Sequence, residues 1–193
     1  MVTGEYSIVA LSGSPSPTSK TALLAEHVLG LVSGPGSPGR HYRVSSVDPR
    51  ALLTGDMGDA LLAEMVHAVE ASHGVIVATP IYKAAYSGLL KAFLDVLPQF
   101  ALAGKAVLPV ATGGSVAHVL ALDYALRPVL QSMGARHVVQ SHFVPEADMN
   151  VSDGRLTVSG SSAPPLLQAA EHFRQAMTDD PAARQLGHPR PDA

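Results

Sequence analysis

Ser12, Ser14, Ser16, Thr18, Ser19 and Thr21 crowd hydroxyl groups into the segment just ahead of an apolar helical stretch. Serine and threonine in that position cap a helix, but one cap uses fewer hydroxyls than this. Uncapped amides, the positive end of a helix dipole and several hydroxyls together make an anion site suited to phosphate, and Lys20 adds charge. A solvated turn with an ordinary cap fits the same residues. The segment is neither a Walker loop, since the Gly-Lys-Ser/Thr ending is missing, nor Gly-x-Gly-x-x-Gly. A second stretch, from Thr79 to Ser87, offers Tyr82, Lys83, Tyr86 and Ser87. A third is Thr112-Gly113-Gly114-Ser115, whose glycines either let the backbone approach a flat ligand or make a tight turn.

These stretches all follow apolar runs that read as strands. Tyr6 to Leu11 is expected as the first, followed by a helix with Leu23, Leu24, Val28 and Leu31 inward. Tyr42 to Val47 is expected as the second, with Asp48-Pro49 turning away, residues 50–58 irregular, and a helix from Asp59 to Ser72. Gly74 to Ala78 is β-branched and apolar, as in a parallel strand buried on both faces. Thr79-Pro80 is expected to end it, because proline cannot donate to a ladder. Leu89, Leu90, Phe93, Leu94 and Leu97 recur at helical spacing, placing Asp95 on the outer face. Ala106 to Ala111 is the fourth strand, with Pro109 an awkward occupant, and His137 to Val144 the fifth. Val151 to Val158 reads as a hairpin turning on Ser152-Asp153-Gly154-Arg155, and Pro164 to Met177 as a closing helix. The alternation predicts one α/β domain over residues 1–178, a flavodoxin-like, doubly wound, five-stranded parallel sheet with helices on both faces. Residues 179–193 are expected to form a flexible tail. In such sheets ligands bind at the carboxyl ends of the strands, where the hydroxyl- and glycine-bearing loops fall.

The stretch from Val116 to Met133 is apolar on more than one face, so it must be buried on more than one side. One side is expected to meet another subunit. Pro128 lacks an N–H and crowds the carbonyl of Tyr124, which predicts a kink or π-bulge there, or else a break at Arg127.

Composition narrows the function. The 193 residues are 47% hydrophobic and only 15% charged, which describes a chain with a large core or buried subunit contacts. A net charge of −3 gives no basic face for nucleic acid. The absence of cysteine excludes disulfides, thiolate metal sites and cysteine nucleophiles. The histidines lack metal-ligand spacing, so no metal is expected, and no Gly-x-Ser-x-Gly elbow is present. Neither a signal peptide nor an apolar run of ~20 residues is seen, so a cytoplasmic location off the membrane is expected.

From roughly Ser7 to Val144 the chain resembles the NADPH-dependent FMN reductases associated with alkanesulfonate monooxygenases. The resemblance rests on Gly13-Ser14-Pro15 with Ser19-Lys20-Thr21, on Thr79-Pro80-Ile81-Tyr82-Lys83 running to Lys91, on Leu108-Pro109 running to His118, and on Leu122-Asp123-Tyr124-Ala125-Leu126-Arg127-Pro128. It implies that Ser14, Ser19, Lys20 and Thr21 hold the FMN phosphate. It implies that Pro80, Ile81, Tyr82 and Lys83, with Thr112, Gly113, Gly114 and Ser115, flank the isoalloxazine. Ser87 and His118 join this expected set, His118 as a hydrogen-bond donor or else a core or capping histidine. Lys83 either offsets charge near the flavin, meets the NADPH phosphate, or is an idle surface lysine. The resemblance also implies hydride transfer from NADPH to FMN, a flavin-dependent monooxygenase as the recipient of reduced FMN, and a dimer or tetramer built through the Tyr124 helix. Lys20 stands where the family often has arginine. Lysine binds phosphate without arginine's fork, so weaker flavin binding is expected. A flavin-retaining quinone, azo or metal-ion reductase and a flavodoxin-like electron carrier are the competing readings.

Overall fold

A computed structural model describes residues 6–35, 37–115, 119–135 and 137–178. Its strands in chain order are β1 (Ile8–Ser12), β2 (Gly39–Arg43), β3 (Gly74–Tyr82), β4 (Ala85–Tyr86), β5 (Ala106–Gly113), β6 (His137–Val138), β7 (His142–Pro145), β8 (Met149–Ser152) and β9 (Arg155–Val158). The main sheet runs β2-β1-β3-β5-β6, with β7 continuing the β6 edge along β5. All of these pairings are parallel. This is the flavodoxin-like order, and its direction reverses between β1 and β3.

The helices are α1 (Lys20–Val32), α2 (Pro49–Thr54), α3 (Ala60–Ala71), α4 (Gly88–Val96), α5 (Arg127–Ser132) and α6 (Ala163–Thr178). Alternate strand residues point to opposite faces, so the sheet carries two cores. Ile8, Ala10, Ile76, Ala78, Leu108 and Val110 pack with Leu24 and Val28 of α1 and Leu166 and Phe173 of α6. Val9, Leu11, Val75, Val77 and Val107 pack with Leu62 and Met65 of α3, Phe93 of α4, and Leu126 and Leu130. No described helix is long and apolar enough to cross a membrane.

Both prolines that looked unsuited to strands lie where a neighbour is missing. β3 does not end at Pro80; it runs on to Tyr82. The even residues of β3 face β1, as shown by Gly74 N donating to Ser7 O. β1 pairs no further than Ser12 with Ala78, so Pro80 faces a side without a partner strand. Pro109 sits inside β5, which is an interior strand. Here the expected fifth strand is split: β6 pairs with Ala106 and Val107, and β7 with Val110 to Gly113. Continuing the ladder from Val107↔Val138, residue 109 would donate to the carbonyl of Val139. That carbonyl is instead taken by Arg127 Nη2 at 3.0 Å, while Nη1 donates to Val138 O at 2.7 Å. One arginine replaces the hydrogen bond that the proline cannot make.

Arg127 itself is placed by the helix distortion. Leu122–Leu126 forms a π-turn, with Arg127 N–H donating to Leu122 O, five residues back. Leu126 and Arg127 stay helical, so the chain bends without breaking. Asp123 holds Arg127 Nε at 3.0 Å and also accepts from Ser141 Oγ at 2.8 Å.

Two further boundaries differ from expectation. The second strand comes earlier than Tyr42–Val47, and Val44–Ser46 is a 3₁₀ turn. Residues 49–54 are helical, not irregular: Asp48 caps the amides of Arg50 and Ala51, and Gly55 closes α2 at φ 65°. That is a short helix defined by its caps, with too few turns to show periodicity. The β8/β9 hairpin turns on Asp153 and Gly154, both at positive φ.

Arg127→Met strands the carbonyls of Val138 and Val139, and stability measured by urea unfolding falls by about 1–3 kcal/mol. Adding Pro109→Ala returns an N–H for Val139 and recovers part of that loss. An unchanged or larger loss in the double variant contradicts this account.

Candidate functional site

The end of β1 leads into a tight turn. Gly13 N–H donates to Ala78 O, and a Cβ on Gly13 would fall 2.5 Å from the Cβ of Leu90. Glycine is therefore required by the close packing of this turn on α4, not by a ligand. Ser87 caps α4 through Leu90 N and donates to Gly13 O. The chain then climbs over the sheet edge to α1, which Ser19 caps by accepting from Ala22 N at 3.0 Å. Ser14 Oγ accepts from Ser16 N. The first-turn amides of Lys20 and Thr21 have no carbonyl within the helix to bond. Arg43 braces this loop from β2 by donating to Pro17 O, and it lies 3.8 Å from Glu26.

Beneath the loop, Ser12 Oγ is 2.9 Å from His41 Nε2, and His41 Nδ1 is 3.0 Å from Glu26. Burial pushes the His41 imidazole below its usual value, against the upward pull of Glu26. The order serine, histidine, carboxylate resembles a nucleophile relay. Ser12 is 1% exposed and does not line the cavity described next, so the chain of bonds ties β1 to β2 and α1.

β3 continues past the end of β1 into a hairpin, pairing Ile81 with Tyr86 and Tyr82 with Ala85. Lys83 and Ala84 both turn at positive φ, 51° and 62°. The backbone of a two-residue reverse turn demands this. Tyr82 is left 50% exposed. Tyr86 packs on the core, and burial pushes its hydroxyl pKa up. β5 ends beside this hairpin. A Cβ on Gly113 would meet Phe143 at 3.1 Å, whereas one on Gly114 would meet nothing within 4 Å. Gly113 is thus a packing glycine and Gly114 faces open space. Thr21 Oγ1 of α1 and Thr112 Oγ1 of β5 share a buried hydrogen bond of 2.6 Å.

The three stretches converge on one cavity of about 400 Å³. Ser14, Ser19, Lys20 and Thr21 line it from the hydroxyl loop and the start of α1; Pro80, Ile81, Tyr82, Thr112, Gly113 and Gly114 line it from the ends of β3 and β5. Its size lies in the range of small-molecule pockets. The hydroxyl loop offers hydroxyls, helix-start amides and an ammonium; the strand ends offer apolar side chains and bare backbone. That donor set fits a molecule with a phosphate at one end and a flat ring at the other.

Some expected residues stand elsewhere. Ser87 is a cap buried under the turn, so its hydroxyl is spent on structure and it does not line the cavity. Lys83 is exposed at the hairpin tip, and Ser115 lies beyond the lining. Thr21 lines the cavity with its hydroxyl bonded to Thr112. His118 lies outside the described residues. Asp95 is exposed and paired with Lys91. Ser16 and Thr18 of the hydroxyl run line the cavity too, and Glu146 is the lining residue that was not expected there. Glu146 follows β7 directly, so the rule that strand ends converge on one edge could have found it.

A parallel sheet of this order, flanked by helices and with a cavity at its switch point, defines a flavodoxin-like protein. Residues 6–148 match the model of the NADPH-dependent FMN reductase family, and the chain belongs to that family. It is 38% identical over 170 residues to the FMN reductase (NADPH) of Escherichia coli K12, covering 88% of this chain and 89% of that one. It is 29% identical over 188 residues to the NADH-dependent FMN reductase SfnE of Pseudomonas putida, covering 88% and 96%. The solved apo structure of an NADH:FMN oxidoreductase (EMOB) superposes with a TM-score of 0.86 at 58% identity, covering 97% and 98%.

Thr21→Val leaves the Thr112 hydroxyl buried without its partner, and stability drops by about 1–3 kcal/mol. Replacing both threonines by valine costs less than the sum of the single changes, since neither leaves a stranded hydroxyl. A thermal or urea cycle over the four proteins checks this; additive losses would contradict it.

Proposed function

We propose that this protein reduces FMN with NADPH or NADH and supplies reduced FMN to a separate flavin-dependent monooxygenase. The cavity itself carries the reading: a phosphate-suited helix start and a ring-suited pair of strand ends share one space. Ser14, Ser19, Lys20 and the first amides of α1 would hold the phosphate, with Thr18 beside them. Pro80, Ile81, Tyr82, Thr112 and Gly114 would flank the ring. When bound, FMN supplies the hydride-accepting chemistry; the protein supplies binding, orientation and electrostatics.

The residues suit a flavin that comes and goes. Lys20 is exposed and already paired with Glu146, and Tyr82 lines the cavity. A nicotinamide would approach the ring past Tyr82, which is half-exposed. Lys83, exposed at the hairpin tip, would meet the additional phosphate of NADPH.

We also propose that copies of the chain assemble through the distorted helix, as a dimer or tetramer, in the cytoplasm. Val119, Leu120 and Tyr124 expose apolar surface there, Tyr124 to 78%. Water-exposed apolar groups gathered on one helix favour burial against another surface.

NADPH oxidation followed at its absorbance band should require added FMN and show ternary-complex kinetics. Ping-pong kinetics with flavin retained through purification would favour a quinone-type reductase instead, and no oxidation with FMN present would leave an electron carrier. Lys83→Met should raise KM for NADPH about three- to fivefold, as loss of one exposed charge contact does, and leave KM for NADH unchanged. An equal rise for both would remove Lys83 from phosphate recognition.

A further inference from the structure

We propose that Glu146 limits how tightly the protein holds the phosphate of its flavin, by competing with that phosphate for Lys20. The inference rests on FMN being the ligand of the cavity, and it concerns the affinity and release of that ligand.

Among the described residues lining the cavity, Lys20 is the one cation and Glu146 the one carboxylate. They arrive from distant parts of the chain. Lys20 opens α1 on the hydroxyl loop, and Glu146 starts the 3₁₀ turn that follows β7. Their side chains meet across the cavity, with Lys20 Nζ donating to Glu146 Oε2 at 3.2 Å. The two side chains are 43% and 54% exposed. Neither is fixed by burial, so the pair opens at small cost.

A carboxylate on Lys20 stands in for the anion that the rest of the loop is built to receive. Lysine is a compact charge on a flexible stem, whereas arginine's planar fork is built for bidentate anion contacts. With lysine at position 20, a bound phosphate must draw the ammonium away from Glu146. It must also tolerate an uncompensated carboxylate near its own negative charge. Both effects weaken binding of a phosphate-bearing flavin and hasten its departure. Neither touches a flavin that lacks the phosphate, because Glu146 acts through Lys20, the cation assigned to the phosphate. Glu146 is therefore a residue that sets FMN affinity relative to riboflavin, and it suits a protein that must give its reduced flavin away.

The test titrates FMN and riboflavin into wild type, Glu146→Gln, Lys20→Met and the double variant by quenching of flavin fluorescence, with dissociation rates from stopped-flow displacement. Thermal melts confirm that each variant is folded. Glu146→Gln should bind FMN about fivefold tighter, the upper range for an exposed charge pair, mainly through slower dissociation. Riboflavin affinity should not change, and added salt should shrink the FMN gain. In the Lys20→Met background the gain should shrink, because competition for the shared cation is gone and only the carboxylate's repulsion remains. FMN binding that is unchanged or weaker in Glu146→Gln overturns the proposal and makes the ion pair a strut for the loop. A gain of equal size for riboflavin, or one kept in full without Lys20, also overturns it. A wild-type protein that binds neither flavin sinks the FMN reading, and this inference with it.

Discussion

One row of the sheet governs the site. Arg43, Ser12, Ala78, Val110 and His142 stand side by side on β2, β1, β3, β5 and β7. Parallel pairing sends every one of these strands out of the same edge. The residues just past the row, Ser14, Pro80, Thr112 and Glu146, therefore meet around one cavity although they are far apart in the chain. β1 stops at the row while β3 and β5 run on. The step this leaves in the edge is where the hydroxyl loop crosses to α1.

The polar contacts around that step join its walls. The Thr21–Thr112 hydrogen bond fastens the start of α1 to the end of β5, and Ser87 fastens the start of α4 to the turn after β1. Buried hydroxyls with full partners are rigid, because breaking them leaves a polar group dry. The charged contacts are the opposite. Lys20–Glu146 and Arg43–Glu26 are partly exposed and weak. The cavity thus combines a hydrogen-bonded frame with a half-exposed ion pair.

The sequence was readable where local chemistry and tertiary demand agreed. The Ser19 cap of α1 and the Asp-Gly turn of the last hairpin became what their residue types suggest. So did the distortion set by Pro128. The strand ends were less readable, because a proline in a strand is judged by its missing donor. Whether that donor has an acceptor to miss depends on the neighbouring strand. Pro80 and Pro109 are both tolerated for reasons that lie far away in sequence, the end of β1 and the side chain of Arg127. Ser87 looked like a ligand-binding residue and instead packs the start of α4 on the turn after β1. Glu146 carried no motif of its own, and only its place after the last strand of the sheet marks it.

The central claim is that these strand ends hold FMN with its phosphate on the start of α1. A crystal structure of the protein grown with FMN tests it most directly. The account predicts the phosphate within hydrogen-bond distance of Ser14 and the first amides of α1, and the ring lying between Tyr82 and Gly114. An FMN found with its phosphate away from α1, or outside this cavity altogether, would contradict it.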